Sequence, residues 1–519
     1  MHRICLVFVL ALPFPVSAMP EINTGGVMNA ASLLPSGLPG GSLAPGMIFV
    51  IEGRQLGPFP AIESEKPVEE LGGVFVEIAV GNGRWRALLL ESGQDKIRAI
   101  VPKDVGIGQA SVKVSYLGET GPPLHTRVVP TSVGFYSILG KGWGPASYDR
   151  FKRGDTVTLR ATGLGNAGNS NELEVFIGSI KARKVTIQDE QLSFEIPTQA
   201  PSGCNIAIQA RAAGFIPSNI VSIFIEPLTT ACSSIESIRA NLTLSGTIGF
   251  VLPYRLSMLV NLDPGQTESI TGDAVVAGFR ERKAAAGKRE LPYPPAIGSC
   301  ALYSTAVSLA DFSSTVRTGL LSASEPLNIG EIQVAVDQWT GTVKPNKESR
   351  SYLYTVMGGT SPDKLVSDDP LRFRPGQMNV AGTGGVDVPA FNVAIKFPEI
   401  IEWTNRKDAA VVDQKKDFEV QWSVKEPSQL VAIAGASLDK PGRAAAAFLC
   451  LAKARDGRFK IPAPVLQSLP QSRFQEDDSL GYMFLGTVVS GEDLLYPLEG
   501  LDRLLGTGVS LSGRTTRWR

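Results

Sequence analysis

The side chains able to do chemistry are few and widely spaced. Two histidines occur, His2 and His125. A single imidazole beyond the first eighteen residues cannot build a His-rich zinc or iron site. A Ser–His–Asp triad would have to use His125, yet no Gly-x-Ser-x-Gly elbow stands at a strand–helix junction. Set in Gly121-Pro-Pro-Leu-His125, the residue reads as an exposed turn position. Gly140-Lys141-Gly142-Trp143-Gly144 has the composition of a phosphate loop. Such loops work at the N-terminus of a helix, where backbone N–H groups converge. Pro145 and the strand expected after Arg153-Gly154 leave no helix there, so the run reads as a linker. Asp368-Asp369 and Glu476-Asp477-Asp478 raise the question of calcium, which needs six to eight oxygens. Neither has the spaced Asp-x-Asp-x-Asp pattern, and both read as solvated turns. Paired carboxylates for glycoside hydrolysis could come from any of the 50 acidic residues, so spacing alone selects none.

Tryptophan offers a different chemistry, stacking on sugar rings. Of the six, Trp422 alternates with polar residues in Phe418-Glu-Val-Gln-Trp422 and is expected in a core. Trp85, between Arg84 and Arg86 after the turn Gly81-Asn-Gly83, is the better candidate for ligand contact. Past residue 18 stand Cys204, Cys232, Cys300 and Cys450, too far apart for a zinc pattern. Four cysteines allow three connectivities. Cys232–Cys300 is favoured because both fall in one expected module, against the alternative of buried free thiols. No catalytic residue, metal or cofactor follows from these constellations.

The elements that must carry these residues begin with an address. His2 and Arg3 precede an apolar run from Ile4 to Phe14, and Val16-Ser-Ala18 supplies small residues at a cleavage position. Residues 1–18 therefore read as a signal peptide cleaved near Ala18, with secretion or display at the cell surface to follow. No later apolar run approaches a membrane span. The balance of 50 basic and 50 acidic residues gives no basic excess for nucleic acid or a polybasic membrane surface. A length of 519 residues predicts three to four domains, and 54 Gly with 36 Pro fits many turns between short strands.

A degenerate internal repeat organises the first half. Pro45-Gly46 through Leu56-Gly57 aligns with Arg153-Gly154 through Leu164-Gly165. Downstream, Val101-Pro102 precedes Gly108 and a strand, as Ile196-Pro197 precedes Gly203 and a strand. Proline ends one strand and glycine permits the turn before the next. Two compact β-sandwiches are predicted, over 19–150 and 151–228, with their junction near Gly144 to Lys152. A charged insertion, Glu63 to Glu70, is expected in an exposed loop.

These residues carry a family resemblance. Gly26-Val-Met-Asn-Ala-Ala-Ser32 with Leu43-Ala-Pro-Gly46, then Val133-Gly-Phe-Tyr-Ser137 and Gly140 to Gly144, resemble the Solibacter-type uncharacterised secreted protein domain family of acidobacteria. The second-unit strings Gly154 to Gly165 and Ile196-Pro197 extend the match over about residues 24–226. The family's units are similar to the IPT/TIG immunoglobulin-like fold, which implies paired sandwiches. The family supplies no catalytic residues to carry over.

Beyond Leu228 the grammar remains that of strands. Leu430 to Gly435, Ala445 to Ala454 and Leu480 to Val489 are apolar runs between turns, and short helices are expected only at Val465–Leu469 and Asp493–Leu505. A β-rich module is placed at 229–397 and a C-terminal sandwich at 398–519. This second half resembles, more weakly, other exported proteins of the same group. The expected whole is an all-β, exported, non-enzymatic adhesion, spacer or binding protein, with an extracellular polysaccharide or a cell-surface protein as its partner. The alternative is a secreted carbohydrate-active enzyme with its carboxylates in 229–519 and accessory sandwiches before them.

Overall fold

The computed structural model describes residues 19–165, 173–213, 216–228, 246–263, 266–282, 295–305, 324–345, 352–360, 370–426, 429–438, 445–472, 481–488 and 495–519. Residues 1–18, Cys232 and both acidic clusters lie outside them. The described chain is built almost wholly of strands, in several packed sheets.

The repeat folds as its glycines require. Ile48–Arg54 and Thr156–Thr162 occupy matching places, each launched by a left-handed glycine (Gly46, φ +72; Gly154, φ +93). Gly108–Tyr116 and Gly203–Ala212 likewise each begin on a glycine at positive φ. The first sandwich pairs Glu21–Asn29, Ile48–Arg54, Lys96–Ile100, Leu88–Ser92 and Ile62–Val68 in one sheet. The other holds Leu124–Val128, Gly108–Tyr116, Val74–Val80 and Gly83–Arg86. Period-two alternation sends Phe49, Ile51, Val76, Ile78, Val112 and Val114 into the shared core. The charged insertion is no loop. It is the edge strand Ile62–Val68, exposed along most of its length, whose Lys66-Pro67 suits an edge that must not recruit another strand.

The second sandwich starts earlier than the sequence suggests. Gly134–Phe135 pairs with Thr156–Thr162 in one sheet, and Pro145–Phe151 pairs in parallel with Ile216–Ile225 in the other. The boundary at 150/151 is therefore displaced to the short stretch between Val128 and Gly134. The linker run 140–144 becomes a bend inside the second unit, where its opening strand changes sheets.

The C-terminal half departs furthest from expectation. Eleven strands form one sheet that crosses the boundary drawn at 397/398. Gly246–Asp263 pairs in parallel with both Leu501–Gly506 and Val509–Thr515, and Ser299–Thr305 pairs with Ala445–Lys453. Residues 229–397 and 398–519 are thus not two modules, because each supplies strands that the other needs. Two layers cover this sheet. A four-stranded layer (332–343 and 376–397) closes a core of Val251, Phe279, Phe373 and Phe397. A smaller layer around Phe418–Ser423 closes the core of Trp403, Trp422, Phe448 and Trp518. The helix expected near Val465 forms over Ala463–Gln467; of the one expected at 493–505, residues 493 and 494 lie outside the described residues and 495–505 form strands. Pro497 would break a helix there, and Leu495–Leu498 and Leu501–Gly506 form a hairpin turning at Gly500 (φ +74).

The pairing Cys232–Cys300 is also corrected. Cys300 is bonded to Cys450, its directly opposed partner in the antiparallel pair, with Cα atoms 4.0 Å apart. Opposed residues in such a ladder already stand near bonding distance. Cys204 is disulfide-bonded as well.

Candidate functional site

Several buried polar residues of the N-terminal half lie on the seams between units. Asn29, in the family-like string 26–32, is fully buried. Its Oδ1 accepts from the N–H groups of Ala31 (2.9 Å) and Ser32 (3.1 Å), and its Nδ2 donates to the Ser132 carbonyl (3.1 Å). Ser132 Oγ donates to the Gly40 carbonyl at 3.0 Å, and Ile48 N–H donates across to Thr162 Oγ1 at 2.8 Å. Within the second unit, Asn219 Oδ1 accepts from Phe135 N–H, while its Nδ2 donates to the carbonyls of Phe135 and Gly142. This explains the glycine-rich run: it forms a bend held by a buried amide, and no phosphate site.

A second seam joins this unit to the C-terminal half. Ala207 and Ile220 of this unit, with Leu34 and Leu38 of the first, enter the same core as Trp403 and Trp422. Gln209, buried, donates to the Ser218 carbonyl and to Ser468 Oγ at 3.0 Å, just past the helix Ala463–Gln467. Crevices of about 20 and 30 Å³ remain along the seam, one lined by Trp143, Asn205, Ser222 and Tyr303. They have room for a water or two, not a ligand. Burial pushes the Tyr303 hydroxyl above the usual tyrosine range.

If Asn219 sets the bend, Asn219→Ala orphans a buried N–H and two carbonyls. We expect a loss of about 1–3 kcal/mol and preferential protease cleavage within 138–144. Time-resolved limited proteolysis of the full chain checks this, and an unchanged cleavage map would refute the role.

The residues singled out by sequence scatter across the fold. His125 is exposed on the strand Leu124–Val128, opposite Ser111, rather than in a turn. Trp85 is half-buried, its ring lying against Gly83 and Gly106 at the margin of the first core. Trp403, Trp422 and Trp518 are core residues, and Trp339 lies under the Arg372 guanidinium at 5.5 Å. Among the described residues no group of three His, Cys, Asp or Glu side chains could hold a metal, and no helix is long and apolar enough to cross a membrane.

One groove collects exposed polar side chains, at an end of the first sandwich. It encloses about 650 Å³ and is lined by Glu21, Gly53, Arg54, Gln55, Phe59, Gln94 and Asp95. Two segments make its walls, locked by backbone bonds from Gly53 N–H to the Asp95 carbonyl (3.0 Å) and Leu56 N–H to the Gln94 carbonyl (2.8 Å). Leu56 is fully buried and anchors the loop, while Phe59, three residues on, is 86% exposed. Sequence reasoning missed this site because its residues come from three separate stretches. The one local signal is an aromatic between prolines, Pro58-Phe59-Pro60.

No family model and no curated protein matches the chain. Among solved structures it shares 14% identity with the γ-CGTase of the alkalophilic Bacillus clarkii, covering 46% of this chain and 34% of that one at a TM-score of 0.17. The chain thus spans about a third of that enzyme. SGBP-B of the Bacteroides ovatus mixed-linkage glucan utilization locus, in complex with a mixed-linkage heptasaccharide, shares 9% identity over 61% of this chain and 80% of its own, at 0.19. Immunoglobulin domains 1–4 of Sidekick-1 share 9% over 92% and 95%, at 0.13. At these identities and TM-scores the likenesses carry nothing on fold or function.

Proposed function

We propose that the chain is an exported, non-enzymatic β-sandwich protein of the adhesion, spacer or binding type, on the frame of the Solibacter-type acidobacterial secreted proteins with their IPT/TIG-like units. The observation that carries this reading is a set of buried side-chain hydrogen bonds across the seams. Asn29, Ser132 and Gln209 each bridge one unit to the next, and Asn219 fixes the bend between strands. Flexible tethering needs no such bonds; a fixed presentation of the outer sandwich does. The charge balance and the short apolar leader fit an exported chain with a polysaccharide or cell-surface protein as its partner.

Two measurements test the reading. Expression with the leader intact should deliver protein outside the cytoplasm whose N-terminus reads from Met19. Retention inside the cell with an uncleaved leader would overturn the export reading. Incubation with a polysaccharide panel should release no reducing ends. Release that tracks the purified protein would favour the carbohydrate-active enzyme, with carboxylates in 229–519, instead.

A further inference from the structure

We propose that the groove at the end of the first sandwich binds a neutral polysaccharide, with Phe59 as the stacking platform. The proposal rests on the binding reading above and names the class of ligand and its site. A lone exposed phenylalanine is ordinary on a protein surface. Here it lines one groove with the side chains of Glu21, Arg54, Gln55, Gln94 and Asp95, all exposed and none hydrogen-bonded or ion-paired to another described residue.

That set matches the chemistry of a sugar ring. A pyranose offers a C–H-rich face and a rim of hydroxyls that both donate and accept. The aromatic face takes the first by stacking. The second needs donors and acceptors side by side: two glutamine amides do both, two carboxylates accept, and one guanidinium donates in a fork. Two negative charges against one positive give no field to hold a polyanion, so nucleic acid and uronate polymers fit poorly. An extended peptide fits poorly too, because strand addition needs free backbone groups. The N–H groups of Gly53 and Leu56 are already spent on the opposite wall. Those same bonds hold the walls in place before a ligand arrives, which lowers the ordering cost of binding.

Affinity electrophoresis tests the site, using the purified full chain in native gels cast with hydroxyethylcellulose, xyloglucan, galactomannan, dextran or polygalacturonate. Retardation is expected in at least one of the four neutral gels. Phe59→Ala should weaken it about tenfold, a figure typical of losing one stacking platform. Gln94→Ala should weaken it less. Val386→Ala, at an apolar position 91% exposed in the C-terminal half, should leave it unchanged. Equal thermal melting of the variants ties any loss to the groove. Three results would overturn the proposal: no retardation in any neutral gel, retardation by polygalacturonate alone, or Phe59→Ala binding like the parent. Loss of the groove in this way, with no reducing ends released, leaves the non-enzymatic reading standing. Release of reducing ends removes that reading, while the Phe59→Ala comparison still decides the groove.

Discussion

Replacing Asp273 by alanine is expected to destabilise the C-terminal half by about 3–5 kcal/mol, the range for a buried ion pair that loses one partner. Asp273 is fully buried on the long strand Gln266–Arg282, and Arg255 faces it from Gly246–Asp263. The guanidinium binds the carboxylate in a fork, Nε to Oδ1 at 2.7 Å and Nη2 to Oδ2 at 2.8 Å, and Nη2 also donates to the Phe373 carbonyl. Asp273 Oδ2 further accepts from the N–H groups of Arg372 (2.6 Å) and Phe373 (2.8 Å). One carboxylate therefore ties the hairpin to the segment that carries Phe373 into its core. The alanine variant leaves a buried cation and two unpaired N–H groups. In many proteins a buried pair can be exchanged for apolar residues at little cost. Here the double change Arg255→Met, Asp273→Leu should still lose stability, because the two backbone donors remain orphaned. Urea denaturation of the full chain and both variants measures this. A loss below about 1 kcal/mol for Asp273→Ala would show that the pair is dispensable.

The ion pair marks the limit of what was legible in the sequence. Local signals carried the N-terminal half: Gly46, Gly154, Gly108 and Gly203 sit at positive φ where the repeat aligned them, and strand alternation chose the core residues between them. Those signals span a dozen residues, the range over which turn chemistry and side-chain period act. The unit boundary slipped because Gly134–Phe135 and Pro145–Phe151 are short, and only their pairing with distant strands identifies them. In the C-terminal half the pairings that join its parts are non-local. Gly246–Asp263 meets Val509–Thr515, Cys300 meets Cys450 across 150 residues, and Asp273 holds the N–H groups of Arg372 and Phe373 about a hundred residues on. Alternation predicts that a strand has two faces; it does not say which strand lies beside it. The groove escaped for the same reason. Glu21, Gln55 and Gln94 are ordinary surface residues until two loops bring them around Phe59.

Trp422→Ala is expected to cost about 3–5 kcal/mol, the range for truncating a buried large aromatic. Trp422 is 5% exposed beside fully buried Val420, and its Nε1–H donates to the Ala454 carbonyl at 2.8 Å. Truncation therefore opens a cavity in the core shared with Phe448 and Trp518 and removes one of the two hydrogen bonds that the Ala454 carbonyl accepts, the other coming from Gly457 N–H. On the opposite face Gln421 is exposed and donates to the Glu419 carboxylate at 2.7 Å, a surface contact. Glu419→Ala and Gln421→Ala should each stay within about 0.5 kcal/mol. The measurement has to be made in the full chain, since the sheet beneath this layer takes strands from 246–263, 266–282 and 299–305. A 398–519 fragment would expose the edges of Ala445–Lys453 and Val509–Thr515 where those partners belong, and unpaired edges invite aggregation. Equal, small losses at all three positions would mean that Phe418–Ser423 is not half-buried. A large loss at Trp422 that also lowers the melting of the 246–282 hairpin would show that the two stretches of chain unfold as one cooperative unit, as their shared sheet requires.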